Sequence, residues 1–129
     1  MIGSRTTRKL ILLVDPDPHL RASLRGPLEN AGFSVGEACS GQEGERTIKR
    51  VHVDAVIVDV LLDSLVPGGS VAEKLRATGS RIPVYVFTEQ SIATREDIDL
   101  EALNIAGVFT KPFDTAAIIH ALKTRLKVV

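Results

Sequence analysis

The sequence predicts a doubly wound α/β fold, a five-stranded parallel sheet with helices on both faces. Two observations carry this. Short apolar runs alternate strictly with longer amphipathic segments, giving five strand–helix units. Two of the runs, "AVIVD" at 55–59 and "VYVFT" at 84–88, are near-continuous and β-branched, the pattern of strands covered on both faces. Right-handed crossovers between parallel strands then distribute the helices to the two sides of the sheet.

The strands are expected at Lys9–Asp15, Ser34–Ala38, Ala55–Asp59, Pro83–Thr88 and Gly107–Thr110. The first helix covers 18–31, with Leu20, Leu24 and Leu28 on one face. Asp17 precedes Pro18, the arrangement of an N-cap followed by proline at the first helical position. Gly26-Pro27 should weaken or kink this helix, because proline lacks a backbone donor. A second helix covers 41–51, and a third 70–78 with Val71, Leu75 and Thr78 inward. The fourth, 94–104, opens on the capping-box pattern "TRED". The fifth takes Asp114 as N-cap and turns Ile118, Ile119, Leu122 and Leu126 inward.

No repeat, low-complexity stretch or linker divides the 129 residues, so 1–129 reads as a single domain with a flexible tail over 1–8. Formal net charge is zero, which removes the electrostatic argument for nucleic acid or an anionic membrane as a direct partner. The basic N-terminus precedes an apolar run, Leu10 to Val14, too short for a secretory core. Nothing approaches the length of a membrane span, and the chain reads as cytoplasmic. The single cysteine, Cys39, has no internal disulfide partner and reads as a small apolar strand residue rather than a nucleophile. His19, His52 and His120 show no metal-ligand spacing and read as surface residues.

In doubly wound folds the active crevice lies outside the carboxyl ends of the strands. Those ends carry Asp15, Asp59 and Thr88, with Lys111 after the fifth strand. Two carboxylates suit a hard cation, and the hydroxyl and ammonium suit the oxygens of a phosphoryl group. A carboxylate also serves as acceptor, forming an aspartyl phosphate. Taken singly, Asp59 also reads as a solvated strand end, Thr88 as a turn residue and Lys111 as a surface lysine.

"LILLVD", "DAVIVDVLL", "PVYVFT" and "GVFTKPFD", in this order and spacing, resemble the receiver domain of two-component response regulators of the chemotaxis-receiver kind. The resemblance covers nearly the whole chain. It implies the flavodoxin-like strand order 2-1-3-4-5. It also implies that Asp59 accepts a phosphoryl group from a sensor histidine kinase or phosphotransfer protein, with Thr88 as switch hydroxyl and Lys111 contacting the phosphoryl. Mg²⁺ is the implied cofactor, held by Asp15, Asp59 and the Leu61 backbone carbonyl. Lys111-Pro112 is a candidate cis bond. The implied partners are a downstream target or output domain. A homodimer would form through the fourth helix, fifth strand and fifth helix, the face that phosphorylation rearranges. Such a domain is a phosphoacceptor in a phosphorelay rather than an enzyme, beyond self-catalysed transfer and dephosphorylation.

The opening "DPDP" departs from the family, which places a second acid where Pro16 stands, so the Mg²⁺ site should be weakened. Asp17 has two competing roles, helix cap and replacement ligand, of which the cap is favoured. Further departures are Asp63 with "SLVPGG" after Asp59, Glu89 next to Thr88, and Val108 at the place of the switch aromatic. Phe109, on the opposite strand face, does not substitute for it. These departures motivate an alternative, a phosphorylation-independent pseudo-receiver that acts as an interaction module. A flavin or nucleotide binder is disfavoured, because "DPDPH" offers carboxylates where phosphate needs backbone amides.

Overall fold

Two neighbouring strands are buried almost completely, Ile11 to Val14 at most 1% exposed and Ala55 to Val58 at 0%. The computed structural model describes residues 8–59, 80–89, 105–111 and 113–128, with backbone alone at 88, 89 and 111. The expected helices at 70–78 and 94–104 and most of the N-terminal tail lie outside the described residues.

The described elements are β1 (Leu10–Val14), α1 (Pro18–Asn30), β2 (Ser34–Ala38), α2 (Gly41–Arg50), β3 (Ala55–Asp59), β4 (Val84–Glu89), β5 (Ile105–Lys111) and α3 (Thr115–Leu126). The strands form one parallel sheet in the order β2-β1-β3-β4-β5. This is the doubly wound arrangement read from the sequence. β1, β3 and β4 are central, so their terminal residues meet at the middle of the sheet's carboxyl edge.

Side chains alternate across the pleat and build two layers. On one face Ile11, Leu13, Ala55, Ile57, Tyr85 and Phe87 pack with Leu24 and Leu28 of α1 and Ile118 and Leu122 of α3. On the other, Leu12, Val14, Ala38, Val56, Val58, Val84 and Val86 form a second cluster, flanked by Ile48 of α2. Full burial of each large aliphatic side chain contributes about 1.5–3 kcal/mol, which is why a run such as "AVIVD" commits to a central strand. α2 approaches this sheet face closely: a Cβ added at Gly44 would stand 3.1 Å from Val14 Cγ2.

Two local expectations, on β5 and Cys39, need correction. α1 covers the expected span and runs through Pro27 to Asn30 as one helix, its Leu24 and Leu28 both 1% exposed. Burial of that face outweighs the loss of one donor, and the Pro27 carbonyl still accepts from Ala31 N–H at 3.0 Å. β5 starts at Ile105, two residues before the expected Gly107. Val84 pairs with Ile105 but Tyr85 with Gly107, so Ala106 is an extra residue, and this irregularity interrupts the alternation that marks a strand. Cys39 is not an apolar strand residue: it is exposed, follows β2, and its thiol lies 3.1 Å from Glu43 Oε2. That carboxylate holds the thiol above its ordinary pKa, the opposite of what a nucleophile requires.

Candidate functional site

The β1–α1 connection carries the quoted "DPDP" stretch. Asp15 continues the β1–β2 ladder by one step, its N–H donating to the Ala38 carbonyl at 3.0 Å. The residue is only 4% exposed, the one buried charged residue among those described. A carboxylate in that position requires hydrogen-bond donors. Pro16 has no N–H, and the next amide, Asp17 N–H, donates to Asp15 Oδ1 at 2.7 Å. Asp17 itself is the N-cap of α1, its Oδ1 accepting from His19 N–H at 2.9 Å. The connection thus separates its two carboxylates, one turned into the sheet edge and one onto the helix end.

Asp59 is the last residue of β3 and is half-buried. Val14 and Val58 are register partners, so Asp15 and Asp59 follow one step later on neighbouring central strands. Adjacent strands lie about 4.8 Å apart, which sets the scale of the separation between the two backbones. Both residues continue the parity of the α1/α3 face, two positions beyond Leu13 and Ile57 respectively.

The other strand ends converge on the same edge. Asp59 is paired with Phe87 on β4, and beyond it Thr88 pairs with Thr110 and Glu89 with Lys111. The backbones of Thr88 and Lys111 therefore stand at the carboxyl edge that carries Asp15 and Asp59. The side chains of Thr88, Glu89 and Lys111, together with Leu61, Asp63 and Pro112, lie outside the described residues, and with Pro112 the candidate cis bond.

Residues 11–123 match the model of the response regulator receiver domain. The chain belongs to the response regulator receiver family. Among curated receiver-containing proteins it is 35% identical over 120 residues to response regulator MprA of Mycobacterium leprae, which covers 91% of this chain and 52% of that protein. It is 32% identical over 121 residues to the transcriptional regulatory protein PrrA of Mycobacterium tuberculosis, covering 94% and 51%. The chain thus spans about half the length of the curated relatives it matches.

Solved receivers have the same fold. A response regulator from Chloroflexus aurantiacus superposes with TM-score 0.74 at 26% identity, covering 94% of this chain and 99% of that one. The receiver domain of the sensor histidine kinase PA1611 from Pseudomonas aeruginosa, which has a magnesium ion coordinated in its active-site cleft, superposes with TM-score 0.78 at 23% identity. That comparison covers 94% of this chain and 99% of the PA1611 domain.

The donors of this receiver suit a hard cation in type. Asp15 and Asp59 offer oxygen, and Mg²⁺ accepts one or two carboxylates while keeping several waters. Their number is small. Among the described residues no group of three or more His, Cys, Asp or Glu gathers as for a metal, so Asp17 does not join Asp15 and Asp59 in such a set. His19, His52 and His120 are exposed, and His52 Nε2 lies 2.9 Å from Asp54 Oδ1. Among the described residues, no helix is long and apolar enough to cross a membrane.

Sequence reasoning missed one part of this edge. Arg21 on α1 donates to the backbone carbonyl of Asp15, while its Nε donates to Glu37 Oε1 on β2 at 2.8 Å. Arg25, one turn further, donates to Glu37 Oε2 at 2.6 Å. The two guanidinium groups hold the Glu37 carboxyl below its usual pKa range. The signal was available. Arg21, Arg25 and Glu29 recur every fourth residue on one helix face, and Glu37 interrupts an otherwise small and apolar strand.

Proposed function

We propose that this receiver accepts a phosphoryl group on Asp59 from a phosphohistidine of a sensor histidine kinase or phosphotransfer protein, and that the modified domain changes its contacts with a downstream target or output domain. An Asp59 carboxylate oxygen attacks phosphorus, the P–N bond breaks, and its electron pair returns to the imidazole, which then takes up a proton. Asp15, Asp59 and the Leu61 carbonyl are the proposed holders of Mg²⁺, which when bound neutralises the charge of the transferring group. Lys111 supplies a further positive charge to the phosphoryl oxygens, and Thr88 a hydroxyl that follows the modified state. Asp17 is assigned to the helix end, with a bridging water as its route to the ion.

The observation that carries this reading is the placement of Asp15 and Asp59 one step past the Val14–Val58 pair, on adjacent central strands. Incubation with acetyl phosphate and Mg²⁺, followed by intact mass measurement, tests it. A single phosphoryl adduct is expected in wild type, and none in Asp59→Asn or in excess chelator.

Pro16 favours a second reading. With an acidic ligand missing, the domain would act as a phosphorylation-independent interaction module in the cytoplasm. Absence of the adduct at saturating Mg²⁺ and donor, with a partner bound equally by wild type and Asp59→Asn, selects that reading over the first.

A further inference from the structure

Arg21 makes two contacts that the proposed transfer does not use. Its Nε is anchored on Glu37 Oε1 at 2.8 Å, and a terminal nitrogen donates to the carbonyl of Asp15. The Arg21 side chain is 16% exposed and that of Glu37 29%, so the pair is sheltered. Arg25 takes the other Glu37 oxygen at 2.6 Å and reaches Glu29 at 3.3 Å, which fixes Glu37 from a second side.

The carbonyl that Arg21 grips belongs to the peptide joining Asp15 to Pro16. The orientation of that peptide governs where the following amide stands, and Asp17 N–H donates to Asp15 Oδ1 at 2.7 Å. Pro16 contributes no donor of its own. The guanidinium therefore acts on the Asp15 carboxylate through the backbone, from the far side of the connection. Pairing with Glu37 offsets its positive charge, so the brace need not repel a cation at the sheet edge. The fork of a guanidinium serves two acceptors in different directions, and a lysine ammonium on its flexible stem is a poor substitute.

We propose that Arg21, anchored by Glu37, is a positioning residue that orients the Asp15 carboxylate for cation binding. The cation part of this inference rests on the reading given under Proposed function. The brace itself does not.

The test uses the full chain as wild type, Arg21→Met, Arg21→Lys and Glu37→Gln. Mg²⁺ is titrated while backbone amide resonances are followed, and hydrogen exchange at Asp17 is measured separately in chelator. Arg21→Met is expected to bind Mg²⁺ about tenfold more weakly, the usual consequence of removing a group that orients a metal ligand. In chelator its Asp17 amide is expected to exchange up to about tenfold faster, matching loss of a restraint worth one hydrogen bond. Arg21→Lys should fall closer to Arg21→Met than to wild type. Glu37→Gln, which keeps the arginine but weakens its anchor, should shift both readouts in the same direction by less, and it decides the matter if Arg21→Met does not fold. Wild-type Mg²⁺ affinity in a folded Arg21→Met overturns the proposal, as does unchanged Asp17 exchange. A wild-type chain that takes up no Mg²⁺ overturns the cation reading, while faster Asp17 exchange in the variant still upholds the brace.

Discussion

Glu89 on β4 and Lys111 on β5 are register partners, the last pair of the β4–β5 ladder. On the proposed transfer, a carboxylate near an incoming phosphoryl donor repels it by like charge. Glu89→Ala is therefore expected to speed formation of the Asp59 adduct from acetyl phosphate, by up to about fivefold, the equivalent of about 1 kcal/mol of charge repulsion across water. Initial rates by intact mass measure it. The advantage should shrink as salt is raised, because exposed charges are screened. A rate unchanged at low salt would remove Glu89 from the account of this edge.

On the proposed reading, Pro16 stands where a second acidic ligand is missing. Pro16→Asp returns a carboxylate between Asp15 and Asp17, and about tenfold tighter Mg²⁺ binding is the expected result. Thermal unfolding across a Mg²⁺ series reads it through mass action: ion at ten times its dissociation constant adds about 1.4 kcal/mol to stability. In Asp15→Asn that Mg²⁺-dependent gain should disappear. An Asp15→Asn chain that Mg²⁺ stabilises as well as wild type would displace Asp15 from the site.

Asp17 caps α1 through its bond from His19 N–H. Asp17→Ala should lose about 1 kcal/mol in urea unfolding, whereas Asp17→Ser, which still caps, should remain within a few tenths. The serine variant also separates the two roles of Asp17. Mg²⁺ affinity equal to wild type assigns the carboxylate to the helix, and a marked loss assigns it to the ion.

Glu37 gives the fold a pH signature. Hydrogen bonds from Arg21, then from Arg25, lower its pKa in the folded state below the ordinary 4.5. A depressed carboxylate contributes stability that is fully present above its unfolded pKa and is lost as pH falls through the folded value. The stability difference between wild type and Glu37→Gln should accordingly be level near neutrality and shrink as pH drops below 4.5. Urea unfolding at a series of pH values shows this. A difference that grows on acidification contradicts the arrangement of the two arginines around Glu37.

The sequence was most informative where burial alone decides structure. β2 and β3 have the bounds their short runs predict, and in β3 every residue from Ala55 to Val58 is buried, so the run itself marks the strand. Asp17 and Asp114 were legible as caps, since capping chemistry is local: Asp114 Oδ1 accepts from Ala117 N–H at 3.2 Å. β5 was less legible, because the extra Ala106 interrupts its alternation. Cys39 was misplaced because the composition of a short run does not fix the residue at which the run leaves the sheet. At the carboxyl edge, the acids announced themselves by ending strands, and the strand order then brought Asp15 and Asp59 together. Arg21 did not announce itself, because its role depends on a contact with Glu37 sixteen residues away and a grip on backbone.

Pro16 and Pro18 enclose Asp17 between two pyrrolidine rings, each fixing its own φ near −65° before the chain folds. The unfolded ensemble therefore samples fewer shapes here than a run of ordinary residues would, so less disorder is surrendered when the connection sets. An acid at 16 would have added an oxygen but also latitude. The imide ring offers the reverse exchange, one carboxylate fewer on a stiffer connection, whose shape is largely set before the helix forms.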